Sequence, residues 1–271
     1  DVSPDVIFHM AAQSLVSRSH EIPVDTYWTN VAGTLNVLGA ASQIGVQRCL
    51  VVTTDKVYGV AGNHSTQHNE DSLLTPSFDP YSKSKSHIDS IVQEIIEHSN
   101  EALGITVVRG GNVIGGGDTA ENRLLPDLAR AFQKSEVASV RNPDHTRPWQ
   151  HVLDCLSGYV CALNHDMDAG VNGTWNVGPE GSLKVSEVCE IAVEEWADAR
   201  WQTSGSLNVQ ENPTLELDSS KLREQTPWRP IYGPKESVRQ AVSEYQSIST
   251  IGPKETVRES VASYLAQALF L

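Results

Sequence analysis

Apolar residues form two different patterns along the first part of the chain, continuous short runs and a spacing of three or four residues. Two short apolar runs, Val6 to Ala12 and Cys49 to Thr54, have the composition of buried strands in a parallel sheet. From Pro23 to Gly45 and from Tyr81 to Leu103, apolar residues recur every three or four positions, which predicts helices. Strand composition returns at Ile105 to Arg109, so strand and helix are predicted to alternate.

Beyond Gly115-Gly-Gly117 the alternation of strands and helices becomes less regular. Helices are predicted at Leu124 to Lys134, Val152 to Asn164 and Val185 to Ala197, with short strand-like pieces such as Thr174 to Val177 between them. Alternating strands and helices are typical of an α/β fold with parallel strands, whose ligands bind beyond the carboxyl ends of the strands. We therefore expect an α/β sheet in the first part of the chain and a smaller lobe in the second part.

The C-terminal part contains a duplicated segment. Gly233-Pro-Lys-Glu-Ser-Val-Arg239 recurs nineteen residues later as Gly252-Pro-Lys-Glu-Thr-Val-Arg258. Each copy places Pro near a first turn and Glu just after it, which predicts the start of a helix. Two copies are too few for a stacked repeat array, so we interpret the pair as a local duplication that yields two amphipathic helices.

Charge and hydropathy argue against two classes of partner. The chain of 271 residues carries a net charge of −14, which would repel a nucleic acid before any specific contact formed. Its apolar runs are far shorter than the roughly 20 residues of a membrane span. The chain opens without an initiator Met or a signal peptide, so we expect a cytoplasmic chain and a fragment of a longer one. The histidines lack metal-ligand spacing, so no metal is expected.

The sharpest chemical pattern pairs a strand end with a helix start. Thr53-Thr-Asp-Lys56 ends one predicted strand, and Tyr81-Ser-Lys-Ser-Lys85 begins the next predicted helix. The spacing of four residues places Tyr81 and Lys85 on one helix face, where the ammonium would favour the phenolate and let the tyrosine act as a base. Taken alone, the spacing also suits a helix-capping Tyr beside a solvated Lys.

Six stretches, taken in order, resemble the motifs of one enzyme family. They are Phe8-His-Met-Ala-Ala-Gln13, Thr29-Asn-Val-Ala-Gly-Thr34, Thr54-Asp-Lys56, Asp79-Pro-Tyr-Ser-Lys-Ser-Lys85, Arg109-Gly-Gly-Asn-Val-Ile-Gly-Gly-Gly-Asp118 and Arg147-Pro-Trp-Gln-His-Val-Leu-Asp154. Together they resemble the CDP-glucose 4,6-dehydratases of the extended short-chain dehydrogenase/reductase family. The resemblance implies a Rossmann-like, doubly wound parallel sheet with a smaller C-terminal substrate-binding lobe. Residues 1–118 would bind NAD and carry the catalytic groups, and residues 119–271 would mainly bind substrate, with the lobes interleaved.

The same resemblance implies a redox-neutral reaction. Bound NAD would serve the conversion of CDP-glucose to CDP-4-keto-6-deoxyglucose, a deoxysugar precursor in polysaccharide biosynthesis. Tyr81 would deprotonate the C4 hydroxyl, Thr54 would hydrogen-bond the same oxygen, and Lys85 would hold the nicotinamide ribose and stabilise the phenolate. Asp55 would protonate the departing C6 hydroxyl, and Lys56 would remove the C5 proton.

Lys56 distinguishes this chain from other members of that family. Relatives that act on dTDP-glucose or GDP-mannose carry Glu after the Asp, whereas the CDP-glucose type carries Lys. A lysine must be neutral to remove a proton, and burial together with the charge of Lys85 would favour that form. Two alternatives stay open: Lys56 as a solvated loop lysine, and Asp55 as the acceptor of an Asx turn at the strand end.

The resemblance also assigns residues to the cofactor. Ala11, Ala12 and Gln13 would form a turn that lets NAD approach the backbone. The same resemblance adds Thr53, Tyr81 and Lys85 to the cofactor-binding set. A tightly packed turn between strand and helix is the alternative for the first three. Asn30 would brace the active-site strand through hydrogen bonds to the backbone.

For the nucleotide diphosphate, the resemblance points to Asn112, Arg123 and Arg147. Arginine suits a phosphate because its guanidinium donates paired hydrogen bonds. These residues would give an anionic substrate the local basic pocket that a chain of net charge −14 must provide. Surface salt bridges are the alternative role for both arginines.

The family begins with a strand, a glycine-rich turn and a helix that bind NAD, and the chain shows no such segment. Gly115-Gly-Gly117 lacks the GxGxxG spacing and cannot replace it. We expect on the order of 60 or more residues to be missing, either from the protein itself or only from this chain. Because those residues hold the pyrophosphate, the activity of this chain alone is expected to be impaired.

The sequence also predicts an oligomeric state and leaves two other functions open. Relatives pair through a four-helix bundle, and the stripes Val24 to Ala41 and Ile88 to Ile96 could build one, so a homodimer is expected. One rival is an epimerase or another nucleotide-sugar dehydratase of the same fold. The other is a non-catalytic protein that binds a nucleotide sugar.

Overall fold

The chain divides into two units that interleave along the sequence. The computed structural model describes residues 2–59, 67–75, 78–98, 102–205 and 213–269. Unit 1 comprises Asp1–Gly111, Gly158–Val177 and Leu217–Trp228, and unit 2 comprises Asn112–Ser157, Gly178–Glu216 and Arg229–Leu271. The assignment of cofactor and substrate to lobes that change over near residue 118 stays a prediction.

Strands and helices alternate through most of the chain. The strands are β1 Val6–His9, β2 Arg48–Thr54, β3 Gln67–His68, β4 Gly104–Gly110, β5 Asn112–Ile114, β6 Val137–Val140, β7 Thr146–Arg147, β8 Trp149–His151, β9 Gly173–Val177, β10 Leu183–Lys184, β11 Arg200–Thr203 and β12 Glu216–Leu217. The α-helices are α1 Val16–Glu21, α2 Pro23–Tyr27, α3 Gly33–Gln43, α4 Pro80–His98, α5 Leu124–Gln133, α6 Val152–Ala169, α7 Val185–Glu194, α8 Ser220–Gln225, α9 Pro234–Ile251 and α10 Pro253–Ala268. Within the described ranges, no helix combines the length and hydropathy that crossing a bilayer requires.

A parallel sheet in the strand order β1-β2-β4-β9 forms the centre of unit 1. It confirms the α/β class with parallel strands. The strand expected at Thr174 to Val177 is present as β9, but its assignment to the second lobe was wrong, because β9 pairs with β4 in this sheet and belongs to unit 1. Partners in a parallel sheet lie far apart in the chain, so local composition carried no sign of the pairing.

Helices cover both faces of this sheet. Successive side chains of a strand point to opposite faces, and in β4 the side chain of Ile105 packs with Leu38 of α3 and Val92 of α4. Its neighbour Thr106 points the other way and donates a 2.7 Å hydrogen bond to Asp166 of α6. The sheet is therefore doubly wound, as the resemblance implied.

The predicted helix from Pro23 to Gly45 changes its winding in the middle. α2 passes into a π-helical turn at Trp28–Ala32 and then into α3. Such a turn inserts one residue into the helical repeat and is frequent at functional sites. Asn30, at the centre of this turn, is fully buried. The spacing of apolar residues gave no sign of the insertion.

Unit 2 packs α5, α7 and α9 around an apolar core that includes Trp149 of β8. α9 and α10 begin at the two copies of the duplicated segment, with Pro in the first turn of each, as predicted. Val238 and Ala241 of α9 are fully buried in this core. The first copy is therefore an integral part of the unit.

Candidate active site

The carboxyl end of β2 presents Thr54, Asp55 and Lys56 in one short turn. β2 ends at Thr54, and a 3-10 turn spans Asp55–Val57. The Thr54 hydroxyl donates to Asp55 Oδ1 at 3.0 Å and accepts the backbone N–H of Lys56 at 3.4 Å. Thr54 and Asp55 are buried, and Lys56 is half-buried. Three consecutive residues at the strand end therefore carry a hydroxyl, a carboxyl and an amine.

Tyr81 lies in the first turn of α4, which begins at Pro80. Asp79 caps this helix, since its carboxylate accepts the backbone N–H of Ser82 at 2.8 Å and the Ser82 hydroxyl at 2.6 Å. Proline at the first helical position sacrifices no helical hydrogen bond. The Asp79-Pro80 pair thus determines where α4 starts, and with it the position of Tyr81, which is 9% exposed.

Lys85 joins α4 to β2. Its ammonium donates a 2.9 Å hydrogen bond to the carbonyl oxygen of Val52, two residues before Thr54. Burial lowers the pKa of Lys85 to about 8, and the charge of Asp89 acts in the opposite direction. Within the described part of the chain, Val52 is the one acceptor of this ammonium. Two of its three donors are therefore available to a bound group that carries oxygen acceptors.

Asn30 ties the turn after β1 to the start of α4. Its Oδ1 accepts the backbone N–H of Gln13 at 2.8 Å, and its Nδ2 donates to the carbonyl oxygen of Gln13 at 3.1 Å. The same Nδ2 lies 2.9 Å from the hydroxyl of Ser84, which donates to the carbonyl oxygen of Tyr81 at 2.7 Å. Asn30 thus acts through backbone hydrogen bonds, but the backbone is that of Gln13 in the turn after β1 and not that of the active-site strand.

Ala11, Ala12 and Gln13 form the turn that follows β1. Ala11 is exposed and Ala12 is half-buried, and neither has more than a methyl group to cover the backbone. The amide of Gln13 belongs to the turn itself, because Oε1 accepts the N–H of Leu15 at 2.8 Å and Nε2 donates to Thr26 at 3.0 Å. Gln13 shapes the turn, whereas the alanines leave the backbone approachable.

Thr53 is oriented differently from its neighbour Thr54. Its hydroxyl donates to Asp89 Oδ2 of α4 at 2.8 Å, and the side chain is buried. Its role in cofactor binding stays a prediction. The five residues assigned as catalytic from the sequence lie at the carboxyl end of β2, in the turn that follows it, or in the first turns of α4, and these are Thr54, Asp55, Lys56, Tyr81 and Lys85.

Sequence reasoning missed a buried cluster behind these residues. Arg109 donates to the two carboxylate oxygens of Asp89 at 3.0 and 2.7 Å, and to the hydroxyl of Tyr58 at 2.9 Å. Tyr58 donates in turn to Asn176 Oδ1 at 2.6 Å. Arg109 belongs to a motif of the family and Asp89 lies four residues after Lys85, but a charged residue on a helix is normally solvated. No feature of the sequence indicated that Arg109 and Asp89 would pair.

Unit 2 holds the three residues assigned to the nucleotide diphosphate. Asn112 begins β5 and is half-buried. Arg123 precedes α5 and pairs with Asp118 at 3.2 Å, with its side chain 39% exposed. Arg147 is buried and donates to the carbonyl oxygen of Pro213 at 3.2 Å. The salt bridge expected as the alternative for Arg123 is present, and phosphate binding by all three stays a prediction.

Proteins with similar sequences include nucleotide-sugar enzymes. The chain is 35% identical to the CDP-glucose 4,6-dehydratase of Salmonella typhimurium, over 91% of this chain and 72% of that protein. It is 26% identical to the dTDP-glucose 4,6-dehydratase of Xanthomonas campestris pv. campestris, over 91% of this chain and 74% of that protein. These alignments extend through both units.

The fold is shared with a solved structure, the UDP-glucose 4-epimerase of Thermus thermophilus in complex with NAD. The TM-score is 0.78, over 90% of this chain and 78% of that one, and at 24% identity the likeness establishes the fold alone. A family described as the NAD dependent epimerase/dehydratase family matches residues 1–178, which is more than half of the chain. With this match and the 35% identity to the Salmonella protein, the chain belongs to the NAD dependent epimerase/dehydratase family.

Proposed function

We propose that this protein is a cytoplasmic enzyme that converts CDP-glucose to CDP-4-keto-6-deoxyglucose with bound NAD. The observation that carries the proposal is the joining of β2 to α4 through Lys85 and Val52. This hydrogen bond connects β2, at whose carboxyl end Thr54 and Asp55 lie, to α4, which carries Tyr81. The similarity to the Salmonella CDP-glucose 4,6-dehydratase supports the choice of substrate.

The residues after β1 and on α4 fit NAD. Lys85 has two ammonium donors for oxygen acceptors such as ribose hydroxyls, and Ala11 and Ala12 let a ligand approach the backbone. When bound, NAD would accept a hydride from C4 of the sugar and return it to C6. The remaining residues proposed to hold it are Gln13, Thr53 and Tyr81.

Tyr81 is the proposed base for the C4 hydroxyl. Lys85 follows it by one turn of α4, and its positive charge would stabilise the phenolate. Thr54 would hydrogen-bond the C4 oxygen and orient it. The proton of that hydroxyl would therefore move to the Tyr81 oxygen.

Asp55 and Lys56 are the proposed acid and base for the loss of water. The bond from C6 to its hydroxyl breaks as Asp55 delivers a proton to the leaving oxygen, and Lys56 Nζ takes the proton from C5. Asp55 is 1% exposed, so bulk water does not compete for its proton. Lys56 is half-buried and lies next to Asp55 in the same turn, which suits two groups that serve one elimination.

Arg147 is the proposed main ligand of the nucleotide diphosphate, with Asn112 and Arg123 beside it in unit 2. A buried guanidinium binds phosphate more strongly than an exposed one because water screens its charge less. Arg147 is 9% exposed and its Nη1 already donates to the backbone carbonyl oxygens of Thr146 and Pro213. The side chain of Arg123 is 39% exposed and pairs with the carboxylate of Asp118, which competes with a phosphate for its positive charge. We therefore expect Arg147 to contribute more affinity than Arg123.

Product analysis tests the proposal directly. The full-length protein with NAD and CDP-glucose should yield a 4-keto-6-deoxy sugar, detectable by NMR, while dTDP-glucose should react far more slowly. Calorimetry should show tighter binding of CDP-glucose than of dTDP-glucose, and Arg147→Met should weaken that binding more than Arg123→Met. Equal turnover of the two nucleotide sugars would overturn the assignment of substrate.

Two other functions stand as alternatives. An epimerase or another nucleotide-sugar dehydratase of the same fold would give a C4 epimer, or would prefer a different nucleotide. A non-catalytic nucleotide-sugar-binding protein would bind CDP-glucose and form no product. Asp55 favours the dehydratase over the epimerase, since an epimerase loses no hydroxyl from C6.

We also propose a homodimer formed through the apolar groove along α2, the π-helical turn and α3. Val24 and Trp28 line this groove and are 65% and 69% exposed. By contrast, Leu38 of α3 and Ile88 of α4 are buried against the sheet. The stripe on α4 therefore serves mainly the core, and the exposed part of the other stripe is available to a second copy.

A further inference from the structure

The two copies of the duplicated segment use equivalent tyrosines for different tasks. Equivalent positions lie nineteen residues apart, so Tyr245 of α9 corresponds to Tyr264 of α10. Both side chains are buried. Tyr245 donates to the carbonyl oxygen of Asp118 at 2.8 Å, whereas Tyr264 donates to the carboxylate of Asp154 at 2.8 Å. The two tyrosines thus bind different stretches of unit 2.

α10 is attached to unit 2 in a different way from α9. Val238 of α9 is fully buried, while the equivalent Val257 of α10 is 58% exposed. The buried residues of α10 are Thr256 and Tyr264. α10 therefore adds little to the apolar core, and Tyr264 is its main point of attachment.

Asp154 is a fully buried carboxylate at the end of the Arg147–Asp154 segment. It accepts the backbone N–H groups of Ile231 at 2.7 Å and Tyr232 at 3.0 Å in addition to the hydroxyl of Tyr264. Burial raises the pKa of Asp154, and these three donors act to lower it. A carboxylate in this position depends on its donors, and α10 supplies one of them.

A second set of contacts leads from α10 to the same segment. The Tyr264 ring packs edge-on against Tyr232 at 5.7 Å, and Tyr232 packs in the same manner against His151 at 5.3 Å. Gln267 of α10 donates to the hydroxyl of Tyr232 at 3.3 Å. His151 ends β8 and is also held by Glu244 of α9, at 3.3 Å. Two residues of the segment, three positions apart, are therefore reached from α10.

We propose that α10 positions the Arg147–Asp154 segment, and that Tyr264 is the positioning residue through which it acts. The first copy of the duplication builds the core and contacts His151 through Ser237 and Glu244. The second copy holds Asp154, at the other end of the segment that contains the phosphate-binding candidate. The inference rests on the proposed function in one respect only, the binding of the nucleotide diphosphate by Arg147. Tyr264 itself touches no reacting atom.

Tyr264→Phe tests this role, because it removes the hydroxyl and keeps the ring that packs on Tyr232. Without substrate, amide hydrogen exchange should become faster in residues 147–157 and 229–232. With substrate, KM for CDP-glucose should rise about ten-fold with kcat within about two-fold, since a hydrogen bond to a charged group is lost in the binding segment and not at the reacting atoms.

Two variants serve as matched controls. Tyr245→Phe removes the equivalent hydroxyl of the first copy, so exchange should change near Asp118 and not in 147–157. Leu265→Ala alters a side chain of α10 that is 56% exposed and should leave both exchange and KM unchanged. Gln267→Ala loosens Tyr232 while Tyr264 keeps its bond to Asp154, and it should give a smaller change in the same direction as Tyr264→Phe.

Unchanged exchange in 147–157 for Tyr264→Phe and Gln267→Ala would overturn the inference, as would faster exchange confined to α10 itself. The exchange measurement needs no substrate, so its result stands apart from the proposed function. If the parent protein fails to act on CDP-glucose while Tyr264→Phe still loosens the segment, the proposed function falls and the positioning role is supported.

Discussion

Asp89 and Arg109 form an ion pair that solvent does not reach, although twenty residues separate them in the chain. Nε and Nη2 of Arg109 donate to the two carboxylate oxygens at 3.0 and 2.7 Å, and the exposed fractions of the side chains are 4% for Arg109 and 0% for Asp89. The pair joins the end of β4 to α4, one turn beyond Lys85. It therefore holds the helix of the candidate base against the sheet.

Breaking this pair should destabilise the protein strongly. Arg109→Met leaves the Asp89 carboxylate buried without its main partner, and the free energy of unfolding should fall by about 3–5 kcal/mol. Arg109→Met combined with Asp89→Leu removes both charges and should recover part of that loss. Urea unfolding of the three proteins measures the difference, and equal stability of single variant and parent would show that the pair contributes nothing.

Tyr81→Phe should abolish the first step of the proposed reaction. Without a base for the C4 hydroxyl, neither reduced cofactor nor product should appear. Absorbance in the nicotinamide band after mixing full-length enzyme with NAD and CDP-glucose provides the measurement. Reduction at the parental rate would show that another group removes this proton.

Asp55→Asn and Lys56→Met should leave that first step intact. Oxidation at C4 needs neither side chain, so bound cofactor should still be reduced while the loss of water slows by about 10²–10⁴-fold. Rapid mixing followed by product analysis separates the two steps. Normal elimination in Lys56→Met would make Lys56 a loop lysine and leave the C5 base to be found elsewhere.

The activity should fall as pH rises through about 8. The pKa of Lys85 is lowered to about 8 by burial, so the ammonium that supports the Tyr81 phenolate loses its proton above that pH. The rate of cofactor reduction, a step that does not use Lys56, should therefore decline on the alkaline side. Lys85→Arg keeps a positive charge to much higher pH and should remove this decline from whatever activity it retains.

The free energy of unfolding should rise with pH above about 8, which is opposite to the change expected for the activity. The folded pKa of Lys85 lies below its ordinary value of 10.5, so the unfolded chain binds more protons between about pH 8 and 10.5. Burying the charged lysine opposes folding below pH 8, and this cost is relieved as pH rises through the window. Compared with Lys85→Met, the parent should gain stability from pH 8 to 10 in urea unfolding.

Trp28→Glu should separate the proposed dimer. Trp28 is 69% exposed in the groove along α2 and α3, and a carboxylate there would be desolvated by a second copy. Light scattering at micromolar concentration should give a dimer for the parent and a monomer for the variant. Leu73→Glu changes another exposed apolar side chain of unit 1 and should leave the dimer intact. A monomeric parent would rule the dimer out.

Local sequence was sufficient for features that depend on near neighbours. The strand at Cys49 to Thr54 follows from its composition, and the helix that contains Tyr81 follows from the spacing of its apolar residues. The spacing of four residues that places Tyr81 and Lys85 on one face of α4 is likewise local. For this reason the fold class, and the family that these motifs resemble, were identified correctly from the sequence.

Tertiary structure decided the features that depend on distant partners. Thr174 to Val177 had the composition of a loose strand, and only pairing with β4 made it part of the main sheet. Asp89 had the appearance of a solvated helix residue, and only the approach of Arg109 made it the centre of a buried cluster. In both cases the partner is too far away in the chain for local periodicity to reveal it.

The duplicated segment shows most directly which features local sequence determines and which features tertiary structure determines. The sequence alone determined that both copies start a helix, because proline and glutamate act within the first turn. It did not determine which parts of the fold each helix contacts. Tyr245 and Tyr264 occupy equivalent positions, yet one binds a backbone carbonyl of Asp118 and the other a buried carboxylate. Burial and hydrogen-bond partners are properties of the packed chain, so two helices that begin with nearly the same seven residues have different roles.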